Sequence, residues 1–143
     1  MATPLTPDHH RLLIVEDNND ISELLVIRLG LAGYTTFVAR DVDQALDAVF
    51  RFRPTGVLLD IGLPDGSGFD VLKAIKKMSK SQDIPVLMLT ARQAMSDIKQ
   101  ALALGAADYV TKPFDDQKLL QRVAKLLGLP IPVIKTERSM LNR

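Results

Sequence analysis

Five polar side chains stand where short apolar runs end. Glu16 and Asp17 follow Leu12-Leu13-Ile14-Val15, and Asp60 follows Gly56-Val57-Leu58-Leu59. Thr90 follows Val86-Leu87-Met88-Leu89, and Lys112 closes Asp108-Tyr109-Val110-Thr111. A carboxylate at the end of a buried run is costly unless something pairs with it. Asp60 alone is also compatible with a cap on the Pro64-Asp65-Gly66-Ser67-Gly68 turn, since Asp is a favoured turn residue. Its company argues for more. Three clustered carboxylates repel one another and call for a cation. Oxygen donors, with no cysteine in the chain and no histidine nearby, suit a hard divalent ion such as Mg²⁺. A metal, an ammonium and a hydroxyl around one carboxylate describe a phosphoryl acceptor. Aspartate is a competent nucleophile toward phosphorus, and Mg²⁺ and Lys112 would stabilise the charge on the transferring oxygens.

The elements that must bring these residues together alternate regularly. Arg11 to Val15 reads as strand one, and a helix from Ile21 to about Ala32 follows, with Asp20 as its expected N-cap. Tyr34 to Ala39 is strand two and Asp41 to Arg53 helix two, which Pro54 stops. Gly56 to Leu59 is strand three, followed by a helix from Phe69 to about Lys80. Val86 to Leu89 is strand four, with a helix from Met95 to Leu104. Asp108 to Thr111 is strand five, with a helix from Asp115 to Leu127. Five strand–helix units of this kind specify an α/β fold, a doubly wound (βα)5 parallel sheet covered on both faces. The expected strand order is 2-1-3-4-5, the flavodoxin-like arrangement. Ligands in such sheets bind beyond the carboxyl ends of the strands, where the order switches between strands one and three. The strands near that switch end in the five polar residues, whereas remote strand two ends in Ala39-Arg40.

With 143 residues the chain makes one domain. Its 47% hydrophobic and 24% charged content is that of an ordinary globular protein. A net charge of +1 provides no field for direct nucleic acid contact. No apolar run is long enough for membrane insertion, and a cytoplasmic location is expected. Residues 1–10, including His9-His10, read as a disordered leader rather than a metal site.

The motifs together resemble the receiver (REC) domain of the two-component response regulator family. They are the acidic pair Glu16-Asp17, Asp60 with Leu63-Pro64-Asp65-Gly66 after it, Thr90-Ala91, and Lys112-Pro113-Phe114. No motif residue departs from the family pattern. The resemblance places a receiver domain at 11–128 and leaves 129–143 as a C-terminal tail or linker. It implies a phosphorelay component that catalyses only its own phosphorylation and dephosphorylation and is otherwise no enzyme. In this reading Asp60 is the phosphoacceptor. Asp17 is a direct Mg²⁺ ligand, Glu16 a ligand through water, and Gly62 a ligand through its backbone carbonyl. Lys112 pairs with the acyl phosphate, Thr90 turns its hydroxyl to the phosphoryl group, and Tyr109 is the aromatic switch. A cis bond between Lys112 and Pro113 is implied as well. The implied partner is a histidine kinase or a histidine phosphotransfer protein, with a possible homodimer through the helix 4–strand 5–helix 5 face.

Three positions outside the motifs carry expectations of their own. Arg92, two past the threonine, is a candidate modulator of phosphoryl lifetime. Val26 and Ile27 are expected towards the flanks or the outside of helix one, where exposed apolar side chains would make a docking patch. Two rival readings are an unphosphorylated receiver-like interaction module and a haloacid-dehalogenase-like phosphatase. The phosphatase would need a second Asp where this chain has Gly62. A flavin or nucleotide module is disfavoured by the lack of a G-x-G-x-x-G or P-loop sequence.

Overall fold

The computed structural model describes residues 6–91 and 95–131. Its central strands, β1 (Arg11–Val15) and β3 (Gly56–Asp60), have apolar residues with no exposed surface, as a strand covered on both faces must. Because side chains alternate across a strand, they sort into two cores. Leu13, Val15, Val57 and Leu59 enter one, and Leu12, Ile14 and Leu58 enter the other.

The other sheet strands are β2 (Thr35–Ala39), β6 (Val86–Ala91) and β7 (Asp108–Lys112). All pairings are parallel, in the order β2-β1-β3-β6-β7, which is the expected 2-1-3-4-5. Two short strands had not been anticipated. β4 (Gly62–Leu63) and β5 (Gly66–Ser67) form a small antiparallel ribbon after Asp60.

Helices α2 (Val42–Phe52), α3 (Gly68–Lys77) and α4 (Met95–Ala103) contribute Ala45, Val49, Val71, Leu72, Ile75 and Ala101 to the first core. Helices α1 (Asn19–Leu31) and α5 (Asp116–Leu126) contribute Leu25, Leu29, Leu119 and Val123 to the second. The sheet therefore has a three-helix face and a two-helix face.

Several local expectations need correction. The cap of α1 is Asn18, whose side chain accepts a hydrogen bond from the Ile21 amide at 3.0 Å, so the helix starts before Asp20. Helix α3 ends at Lys77 because Met78 turns to extended backbone. The leader is ordered from Thr6 onward: Pro7–His9 form a 3-10 turn, and buried His10 meets the Thr55 hydroxyl at 2.9 Å. Leu129 is buried in the second core, so the domain reaches past 128. Residues 1–5 and 132–143, the rest of the expected leader and tail, lie outside the described residues.

Candidate functional site

Parallel register sets the site. The last paired residues of β1 and β3 are Val15 and Leu59, so Glu16 and Asp60 come next, side by side, at the carboxyl edge. On the other flank, Ala91 lies opposite Lys112. Lys112 spans the gap: its Nζ donates to Glu16 Oε1 at 2.6 Å and lies 3.2 Å from Asp60 Oδ1. Asp17 completes an acidic group. One oxygen from each of Glu16, Asp17 and Asp60 lies within 4.8 Å of the others, the metal-ligand spacing.

Burial grades the three carboxylates. Glu16 is 1% exposed, Asp60 is half-buried and Asp17 is exposed. Desolvation pushes the Glu16 carboxyl above its ordinary range, against the pull of Lys112, and the neighbouring Asp60 pushes the same way. For Lys112, burial disfavours the ammonium. The hydrogen bond to Glu16 and the Asp60 charge outweigh that and hold its pKa above the usual value. Among the described residues, Lys112 is the cation paired with this all-oxygen acidic group, which leaves a surplus of negative charge, and the donor set fits a hard divalent ion such as Mg²⁺.

Thr90 is 1% exposed at the end of β6, and Tyr109 on β7 is half-buried and packs against the first core. The Lys112–Pro113 bond is cis. Gly62 lies in the ribbon opposite Ser67, and a Cβ placed on it would meet no atom within 4 Å. Gly68 is the reverse case. A Cβ there would lie 2.2 Å from the Asp60 carbonyl oxygen, so only glycine lets α3 start against the backbone of the central aspartate.

Not every expected residue falls as foreseen. Arg92 lies outside the described residues. Val26 is half-buried against the second core, so it does not belong to an outer patch. Leu24 is 38% exposed, while Ser22 and Leu29 are buried. Ile27 is 55% and Leu31 79% exposed, so the outer apolar stripe is Leu24-Ile27-Leu31, at helical spacing.

The family model for the response regulator receiver domain matches residues 12–124. This chain belongs to that family. Among its relatives is the DNA-binding dual master transcriptional regulator RpaA of Synechocystis, 41% identical over 141 residues. That match takes in 93% of this chain but 56% of RpaA, so the chain spans little more than half the length of this relative. Two solved structures share the fold of this receiver. One is the chemotaxis protein CheY4 of Vibrio cholerae, with a TM-score of 0.78 and 29% identity over 82% of this chain and 98% of CheY4. The other is the receiver domain of the sensor histidine kinase PA1611 of Pseudomonas aeruginosa. It has a TM-score of 0.77 and 28% identity over 83% of this chain and 98% of that one. The PA1611 structure has a magnesium ion coordinated in its active-site cleft.

The family match and the fold had been legible from the strand ends. What sequence reasoning missed is how the loop after Asp60 is held. Ser67 and Asp70 form a capping box on α3, and Asp65 reaches across to α2. The Ser-x-x-Asp spacing was a readable signal. The Asp65 contact was not, because its partners precede it by 22 and 23 residues.

Proposed function

We propose that this receiver accepts a phosphoryl group on Asp60 from a histidine kinase or a histidine phosphotransfer protein, in the cytoplasm. The observation that carries this is the position of Lys112 Nζ between Glu16 and Asp60, in a site with a third carboxylate and a buried threonine at its edge. An Asp60 oxygen attacks phosphorus, and the bond between phosphorus and the donor histidine nitrogen breaks, leaving the imidazole with that electron pair. Lys112 is already charged and faces where the new anion forms. Thr90 would supply a hydroxyl to a phosphoryl oxygen. Asp17, Asp60 and the Gly62 carbonyl would hold Mg²⁺, with Glu16 acting through water. Bound there, the ion would neutralise charge on the phosphoryl oxygens. The open space at Gly62 leaves a path for water, so the same site would also remove its own phosphoryl group.

In this reading the charge gained at Asp60 draws Thr90 and Lys112 inward, Tyr109 follows, and the α4–β7–α5 face changes shape. Met95 and Leu102 on α4 are 61% and 44% exposed, which supports a homodimer or partner contact there. The Leu24-Ile27-Leu31 stripe on α1 would dock the phosphodonor's helical domain.

Intact-protein mass spectrometry after incubation with acetyl phosphate and Mg²⁺ tests the assignment. A phosphoryl adduct on the wild type, absent from Asp60→Asn, is expected. No adduct on the wild type would overturn it in favour of a passive interaction module.

A further inference from the structure

The loop that carries Gly62 is bolted to a helix outside the site. Asp65 sits at the tip of the β4–β5 ribbon. Its Oδ1 accepts a hydrogen bond from the Val42 amide at 2.7 Å, and its Oδ2 faces the Asp43 amide at 3.3 Å. These are the first two amides of α2, which lack partners inside the helix. The next amide, Gln44, is taken at 2.7 Å by Asp41, the N-cap of the helix itself. Helix α2 is therefore capped twice, once by its own flank and once by the site loop. Packing follows the hydrogen bonds: a Cβ on Gly66 would lie 3.2 Å from Val42 Cγ2.

The ribbon needs this anchor. Two residue pairs are far below what a free hairpin requires to hold its shape. Its base is fixed, since the Gly68 amide donates to the Ile61 carbonyl at 2.7 Å and the Ser67 amide donates to Asp70 Oδ2 at 3.1 Å. Its tip is held by Asp65. Gly62 lies between base and tip, with no side chain to hold it in place.

We infer that Asp65 is a positioning residue of the cation site: it holds the ribbon so that the Gly62 carbonyl meets the ion, and it ties cation binding to the first turn of α2. The inference rests on the phosphoacceptor reading, in which that carbonyl is a ligand. Coupling of this kind is reciprocal, so the cation must also steady the α2 amides.

Calorimetric titration with Mg²⁺ compares the wild type with Asp65→Ala and Asp41→Ala. Both substitutions remove a cap from α2 and lower the melting temperature. Asp65→Ala alone is expected to weaken Mg²⁺ binding, by roughly tenfold, the usual cost of losing a group that orients a ligand. Equal Mg²⁺ affinity in wild type and Asp65→Ala, or equal losses in the two variants, overturns the inference and leaves the phosphoacceptor reading standing. A wild type that binds no Mg²⁺ overturns both. If Asp65→Ala does not fold, amide hydrogen exchange on the wild type decides. Saturating Mg²⁺ should slow exchange at Val42 and Asp43 by roughly tenfold, and unchanged rates there overturn the inference.

Discussion

The two faces of the sheet are built differently around the same site. On the three-helix face, the loop after Asp60 is held by hydrogen bonds to the first turn of α2, to α3 and within itself. On the two-helix face, α1 follows the acidic pair and is capped by its own Asn18, and its outer side shows Leu24, Ile27 and Leu31. The bridge across that face is the Arg28–Asp116 ion pair at 2.9 Å, partly exposed and worth little in water. The site loop is braced, and the outer side of α1 presents surface. The division would suit the proposed phosphotransfer, in which the site loop stays rigid while a phosphodonor grips α1.

Gly68→Ala tests the braced face most severely. The added methyl would meet the Asp60 carbonyl oxygen at 2.2 Å, a backbone atom that cannot turn aside. The expected cost is about 3 kcal/mol or more in urea unfolding, at the upper end for overpacking. Gly62→Ala, at a site with open space, should cost less than about 0.5 kcal/mol. Equal stability of the two variants would break the distinction.

The presenting face should answer in kinetics rather than stability. Leu24→Glu combined with Ile27→Lys alters two exposed side chains. Unfolding free energy should move by no more than about 0.5 kcal/mol. Phosphotransfer from a protein donor should slow by about tenfold, equivalent to about 1.4 kcal/mol, while the rate with acetyl phosphate stays unchanged. Equal slowing with both donors would place the defect in the site, and normal transfer would remove α1 from the docking surface.

What could be read from the sequence follows a physical line. The sheet and its order came from apolar runs and their alternation with helices, because burial on both faces leaves little choice of residue type. The acidic pair, Asp60, Thr90 and Lys112 were legible because polar groups at the ends of such runs need partners. Contacts made by a single polar side chain at long range were not. His10 belongs to the domain through Thr55, 45 residues away, and Asp65 reads in sequence as a turn residue. Among Asn18, Asn19 and Asp20 any could cap α1, and only the geometry selects Asn18. Val26 turns toward the second core and Leu24 toward solvent, a phase that the unbroken apolar run Leu24-Leu25-Val26-Ile27 leaves open.

The smallest effect belongs to the seam between the faces. Burial and the Asp60 charge raise the Glu16 pKa in the folded protein, so ionising Glu16 costs more folded than unfolded. Its contribution to stability is fully present below the unfolded pKa, near 4.5, and is lost as pH rises through the higher folded value. Lys112 has the same sign at the far end of the scale: its raised pKa contributes stability that is lost only as pH climbs above 10.5 through the folded value. Of these two groups, Glu16 is the one that titrates on the acid side. Without Mg²⁺, the wild type should lose stability relative to Glu16→Gln as pH rises above 4.5. Saturating Mg²⁺ should abolish the difference in slope, since the cation offsets the charge that burial opposes. Parallel pH profiles for the two proteins in the absence of Mg²⁺ would show that Lys112 alone compensates Glu16, and that the site holds no surplus of negative charge for a cation to relieve.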